Sequence, residues 1–128
     1  MSFFTTIFGE SKEESITPKL NWIPLIKMGQ LDEIIEKSKI KPVAIFKHST
    51  RCSISRMALK QFEKEFNLED QIESYFLDLL EYRPISNEIA MQFNVFHQSP
   101  QIVVIKNGIS VYDASHSDIQ AEDLKKLV

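Results

Sequence analysis

Cys52 is the single cysteine of this chain, and thiol chemistry is the most specific reactivity its residues offer. The thiolate is the attacking form, and a cysteine at the ordinary pKa of about 8.5 is only about 3% thiolate at neutral pH. A reactive thiol therefore needs surroundings that favour the anion. Helical periodicity begins at Ser53, which puts Cys52 at the start of a helix. Unpaired N–H groups and partial positive charge there are worth about 0.3 to 1 kcal/mol to an exposed anion and up to about 2 when it is partly buried. That lowers a thiol pKa by about one, or slightly more. Ser55, three residues on, is placed for its hydroxyl or its N–H to bond the sulfur, and Arg51 adds positive charge beside it. No acidic residue occurs from Lys37 through Phe62, whereas Lys37, Lys39, Lys41, Lys47, Arg51, Arg56 and Lys60 are all basic. The stretch reads either as an attractor for an anionic substrate or as an ordinary solvated face. His48 and His97 are candidates for tuning the thiol, although structural roles suit them better. With His116 and one cysteine they lack the paired spacing of a metal site, so no metal is expected.

The elements that must hold Cys52 come from a chain of 128 residues, enough for one domain with a real core. Apolar residues make up 43% and charged residues 26%, as in a globular domain rather than a disordered one. A lone cysteine excludes an internal disulfide and with it the secreted, disulfide-framed class, which points to a cytoplasmic protein. A net charge of -3 argues against a nucleic-acid partner. No apolar run approaches the length of a transmembrane segment, and Phe3, Phe4, Ile7 and Phe8 lack the flanks of a signal peptide. Residues 1–20 read as an N-terminal extension with a charged linker, and residues 21–128 as the domain.

Within that domain Leu31, Ile34 and Ile35 share a helical face that stops before Pro42. Pro42 to Phe46 is a nearly continuous apolar run, suited to a strand buried on both faces of a sheet. Helical spacing then runs from Ser53 to Phe66, strand patterning from Ile72 to Leu80, and a further helix from Pro84 and Ser86 to Phe93. Gln101 to Ile105 is an apolar strand, Asn107-Gly108 a hairpin turn and Ile109 to Tyr112 the returning strand. A closing helix is expected over 117–127, capped by Ser117 or Asp118, with Ile119, Leu124 and Leu127 inward. The order, one helix and then β-α-β-α-β-β-α, predicts an α/β fold of thioredoxin type: a central mixed sheet flanked by helices. Pro100, just ahead of its strand, then fits that fold's cis-proline loop, leaving the backbone of Ser99 open to an extended client segment.

The stretch His48-Ser49-Thr50-Arg51-Cys52-Ser53-Ile54-Ser55, preceded by Pro42 to Lys47, resembles the active-site region of the monothiol bacilliredoxin family. Asn94 to Gln101 is similar to that family as well, and the likeness runs from about Trp22 to the C-terminus. What it implies is thiol–disulfide exchange: removal of bacillithiol, a small thiol bearing carboxylates, from mixed disulfides on oxidised client proteins. Cys52 and Ser55 would be the catalytic pair, with Thr50, Arg51, Ser53, Ser99 and Pro100 against the substrate. Ser55 stands where dithiol relatives carry the resolving cysteine, so a second small thiol or a separate reductase or dithiol partner must free Cys52. No tightly bound cofactor is implied; bacillithiol or a similar low-molecular-weight thiol is the co-substrate. Family members usually carry proline directly after the cysteine, where this chain has Ser53, so its first helical turn is less preorganised. Two rival readings stand beside this one. An iron–sulfur monothiol glutaredoxin would show Cys-Gly-Phe-Ser, and Cys52-Ser53-Ile54-Ser55 lacks the glycine. A non-catalytic adaptor of the same fold would bind partners through its aromatic N-terminal segment or its proline loop.

Overall fold

The computed structural model describes residues 20–128, so the aromatic extension lies outside the described residues. Among the described residues, five strands and three α-helices follow one another as β1 (Ile23–Pro24), α1 (Gln30–Lys37), β2 (Val43–His48), α2 (Ser53–Glu65), β3 (Glu73–Asp78), α3 (Arg83–Gln92), β4 (Gln101–Lys106) and β5 (Ile109–Ser115). The sheet order is β1-β3-β2-β4-β5. The strands β1, β3 and β2 are parallel to one another, while β4 runs antiparallel to β2 and β5 antiparallel to β4. This is the expected thioredoxin-like mixed sheet.

Central β2 shows why the sheet is covered on both sides. Successive side chains of a strand point to opposite faces. Val43 and Ile45 join Leu31 and Ile34 of α1 and Ile85 and Ile89 of α3 in one core. Ala44 and Phe46 join Phe62 of α2 and Phe66 in the other. All four of these β2 residues are fully buried. The alternation then continues into polar residues, so Lys47 faces the α1/α3 side and His48 the α2 side.

Two elements differ from the sequence expectation. The edge strand β1 was not anticipated: it is two residues long, too short for alternation to register, and its Pro24 is tolerated because an edge position demands no second ladder donor. In place of one closing helix there are two 3₁₀ segments, His116–Asp118 and Ala121–Leu127, separated by extended Ile119 and Gln120. Ile119 and Ala121 are both buried against α2. Residues two apart lie on nearly opposite sides of an α-helix, so burying both requires extended backbone between them. From Ala121 to Leu124 the spacing of three then matches one 3₁₀ turn. The Asn107-Gly108 turn has the predicted positive φ values, 54° and 80°, and is tied to the end of α1 by Asn107 N–H to Ser38 O at 2.8 Å and Gly108 N–H to Ser38 Oγ at 2.9 Å.

Candidate active site

Cys52 occupies the N-cap of α2 with extended backbone, φ -109° and ψ 122°. Its carbonyl accepts the first helical bond from Arg56 N–H at 3.1 Å, and its own N–H closes a turn onto Ser49 O at 3.2 Å. The side chain is partly buried, makes no capping hydrogen bond, and so is open to an incoming sulfur at a helix start whose first turn holds no acidic residue. Thr50, Arg51 and Ser53 around it are exposed.

Ser55 is fully buried, and its hydroxyl is committed elsewhere than to the sulfur. Its Oγ accepts the Ser49 N–H at 3.0 Å and lies 2.8 Å from His48 Nδ1. The serine thus ties the end of β2 to the first turn of α2, fixing the four-residue bend, Ser49 to Cys52, on which the thiol rides. His48 is held below the ordinary histidine range by burial; Asp78 and Glu63 oppose that and Arg56 reinforces it. A neutral ring suits a hydrogen bond to an uncharged hydroxyl. Ser55→Ala leaves the partly buried Ser49 N–H and the buried His48 ring nitrogen without this partner, and is expected to cost about 1 to 2 kcal/mol. Urea unfolding would measure the loss; a midpoint unchanged from wild type would show that the tie is not made.

Ser99 and Pro100 precede β4, and the bond between them is cis, as anticipated. Pro100 is buried, its carbonyl accepting His116 N–H at 3.1 Å, and the Ser99 Oγ is buried with no protein partner. The antiparallel register pairs Lys47 with Gln101. Pro100 therefore sits where β2 gives way to the Ser49–Cys52 turn, and the sheet brings all the predicted site residues to one end.

The basic stretch does not act as a block. Lys37, Lys39 and Lys41 lie at the far end of β2, paired with Glu33, Glu36 and Glu73 at 3.0 to 3.9 Å. Lys47 is completely buried. Arg51 and Arg56 remain near Cys52, with Lys60 one turn beyond Arg56 on α2. Arg56 donates to Thr50 O at 3.2 Å and, with Lys60 and Ser53, borders a cleft of about 480 Å³ beside α2 that also touches His48 and Glu63.

Lys47 and Gln101 were the residues sequence reasoning passed over in this region. Lys47 Nζ donates to Ser86 O at 3.2 Å and lies 3.3 Å from His97 Nδ1. Burial, with Arg83 nearby, lowers its pKa to about 8. His97 is likewise held low by burial and by the charges of Lys47 and Arg83. The buried Gln101 donates from Nε2 to Phe96 O at 2.9 Å, and its Oε1 lies 3.4 Å from the Gln98 N–H. The one available signal was position: Lys47 directly continues a fully apolar strand.

Compared with known proteins, residues 23–124 match the family described as monothiol bacilliredoxin BrxC. The chain belongs to the monothiol bacilliredoxin family. Among solved structures it is 36% identical to a proposed oxidoreductase with a thioredoxin fold, covering 82% of this chain and 91% of that one at a TM-score of 0.70. Thioredoxin from Schistosoma mansoni is 25% identical, covering 84% and 99% of the two chains at a TM-score of 0.64. For Malassezia sympodialis thioredoxin the identity is 20%, the coverage 90% and 94% and the TM-score 0.64. This bacilliredoxin is a thiol–disulfide oxidoreductase acting through one cysteine. Among the described residues no group of three or more His, Cys, Asp or Glu is placed to hold a metal ion, and no helix is long and apolar enough to cross a membrane.

Proposed function

We propose that the protein removes bacillithiol, or a similar low-molecular-weight thiol, from mixed disulfides on oxidised cytoplasmic proteins. The observation that carries this reading is an accessible Cys52 at the N-cap of α2 in a chain with no second sulfhydryl. The Cys52 thiolate attacks the sulfur of the small thiol, the client leaves as a thiolate, and the small thiol stays on Cys52 as a mixed disulfide. Another small thiol, or a separate reductase or dithiol partner, then attacks and regenerates Cys52. Ser55 serves the reaction by holding the turn, and Thr50, Arg51, Ser53, Ser99 and Pro100 surround the incoming disulfide. Arg56 and Lys60 beside the cleft suit a thiol that carries carboxylates. Membership of the bacilliredoxin family supports bacillithiol as that thiol, and a lone cysteine suits a reducing compartment. Residues 21–128 form the working domain, with 1–20 an appendage to it.

Mass spectrometry under non-reducing conditions, on protein recovered from its own cells after a brief oxidant exposure, tests the reading. The expected result is an adduct on Cys52 with the mass of bacillithiol. An unmodified Cys52 in cells whose other proteins are S-thiolated would overturn it and favour the adaptor.

A further inference from the structure

Lys47 and Gln101 are directly opposed in the β2–β4 pair, both buried, and both reach the same short segment. Lys47 meets His97 and Gln101 meets the backbone of Phe96 and Gln98. His97 is met again from α3, by Ser86 Oγ at 3.3 Å and by an Arg83 guanidinium nitrogen 3.4 Å from its outer ring nitrogen. Buried lysines are rare because desolvating an ammonium is costly, and among the described residues no carboxylate pairs with this one. Phe96 lies between Val95, whose N–H donates to Ala90 O at 3.0 Å, and the clamped His97, and is 91% exposed. A large apolar side chain held in water by a backbone fixed on either side is unlike a ring left on a free loop. The segment ends at Ser99 and Pro100, at the Cys52 end of the sheet.

We infer that Lys47 and Gln101 form a buried polar clamp that fixes residues 96–99 as a contact surface for the polypeptide of the client. The inference rests on the thiol-transfer reading above and divides its substrate. The clamp lies on the α1/α3 face, whereas the cleft bordered by Arg56, Lys60 and Glu63 lies beside α2. A small anionic thiol has no use for an exposed aromatic ring, while a client chain next to its oxidised cysteine offers apolar side chains and backbone. Lys47 is accordingly a positioning residue: it acts through His97 and touches neither sulfur.

The test uses Lys47→Met and Gln101→Leu in the full chain, with two readouts. Amide hydrogen exchange by NMR should show Phe96 to Ser99 exchanging about tenfold faster or more in each variant, while β2 and β3 amides exchange no faster than in wild type. Rates for 96–99 within about twofold of wild type in both would overturn the clamp. Should neither variant fold, the wild-type Gln98 amide decides: exchange slowed about tenfold or more relative to an unstructured peptide supports the clamp, and unprotected exchange overturns it. In steady-state turnover of a client protein bearing one mixed disulfide, the variants should raise KM about five-fold or more with kcat within about twofold. A loosened segment with unchanged KM would overturn its role in holding the client. Wild-type protein inert on that substrate would remove the transfer reading, while the exchange data would still judge the clamp.

Discussion

Mixed with an excess of a client carrying a single bacillithiol mixed disulfide and no other thiol, the protein is expected to release one equivalent of client thiol and then stop. The stoichiometry follows from the sulfur inventory. Attack by Cys52 consumes its thiolate and leaves it disulfide-bonded to the small thiol, and a chain with one cysteine holds no internal group that can displace it. Ser55, in the position of a resolving cysteine, is locked against Ser49 and His48 and is not a sulfur nucleophile. Adding free small thiol, or a dithiol reductant, should restart turnover. Cys52→Ser should abolish the burst and lower the rate by about 1000-fold or more, to the uncatalysed background. A stopped-flow trace with a thiol-reactive chromophore reads both amplitudes. Continued turnover without added thiol, or a burst surviving in Cys52→Ser, would exclude a monothiol cycle through Cys52.

The second large effect is one of stability, and it has the opposite sign to the effect on KM. Lys47 is buried, and its pKa has fallen from the ordinary 10.5 to about 8. Below pH 8 it is charged in both the native and the unfolded protein, and its burial then weakens the fold by something on the order of 3 kcal/mol. Between 8 and 10.5 the native state has lost the proton while the unfolded chain keeps it, so stability from this group rises with pH; above 10.5 its contribution vanishes. Lys47→Met removes the charge at similar volume and should stabilise the protein by about 2 to 3 kcal/mol at pH 7. The difference from wild type should shrink steadily from pH 8 to pH 10. Comparing the two proteins cancels the other alkaline titrations, those of Tyr75, Tyr112 and Lys37. Urea melts across that range measure it, and a variant less stable than wild type at pH 7 would show that the lysine's hydrogen bonds outweigh its desolvation. A more stable protein that grips its client less well is the usual trade at functional positions.

Much of the fold could be read from the chain because it is written in local periodicity. Val43 to Phe46 announced a strand buried on both sides, and Asn107-Gly108 announced the hairpin. The placement of Cys52 needed only the change of period at Ser53. What escaped depended on partners distant in sequence. Only its place at the end of an apolar strand sets Lys47 apart from Lys39 or Lys41, because its contacts, Ser86 and His97, lie 39 and 50 residues away. The bias toward basic residues left an anion attractor and a solvated face both open, and three of its lysines are answered by glutamates at the other end of the sheet. Ser55 was marked from its spacing as a partner for the sulfur, but its hydroxyl's neighbours, Ser49 and His48, appear only once the Ser49–Cys52 turn closes. The closing helix failed because Ile119 and Ala121 must both face inward, a tertiary demand that helix propensity does not foresee.

Lys47 and His48 are adjacent in the chain yet emerge from opposite sides of β2. One bond of backbone therefore separates two independent handles, one on the bend that carries the nucleophile and one on the segment beyond the neighbouring strand. Substitutions at the two positions should combine almost additively, since the sheet itself lies between their partners. Preference among oxidised proteins can thus drift through the lysine's side of the molecule while the sulfur chemistry on the histidine's side is left as it was.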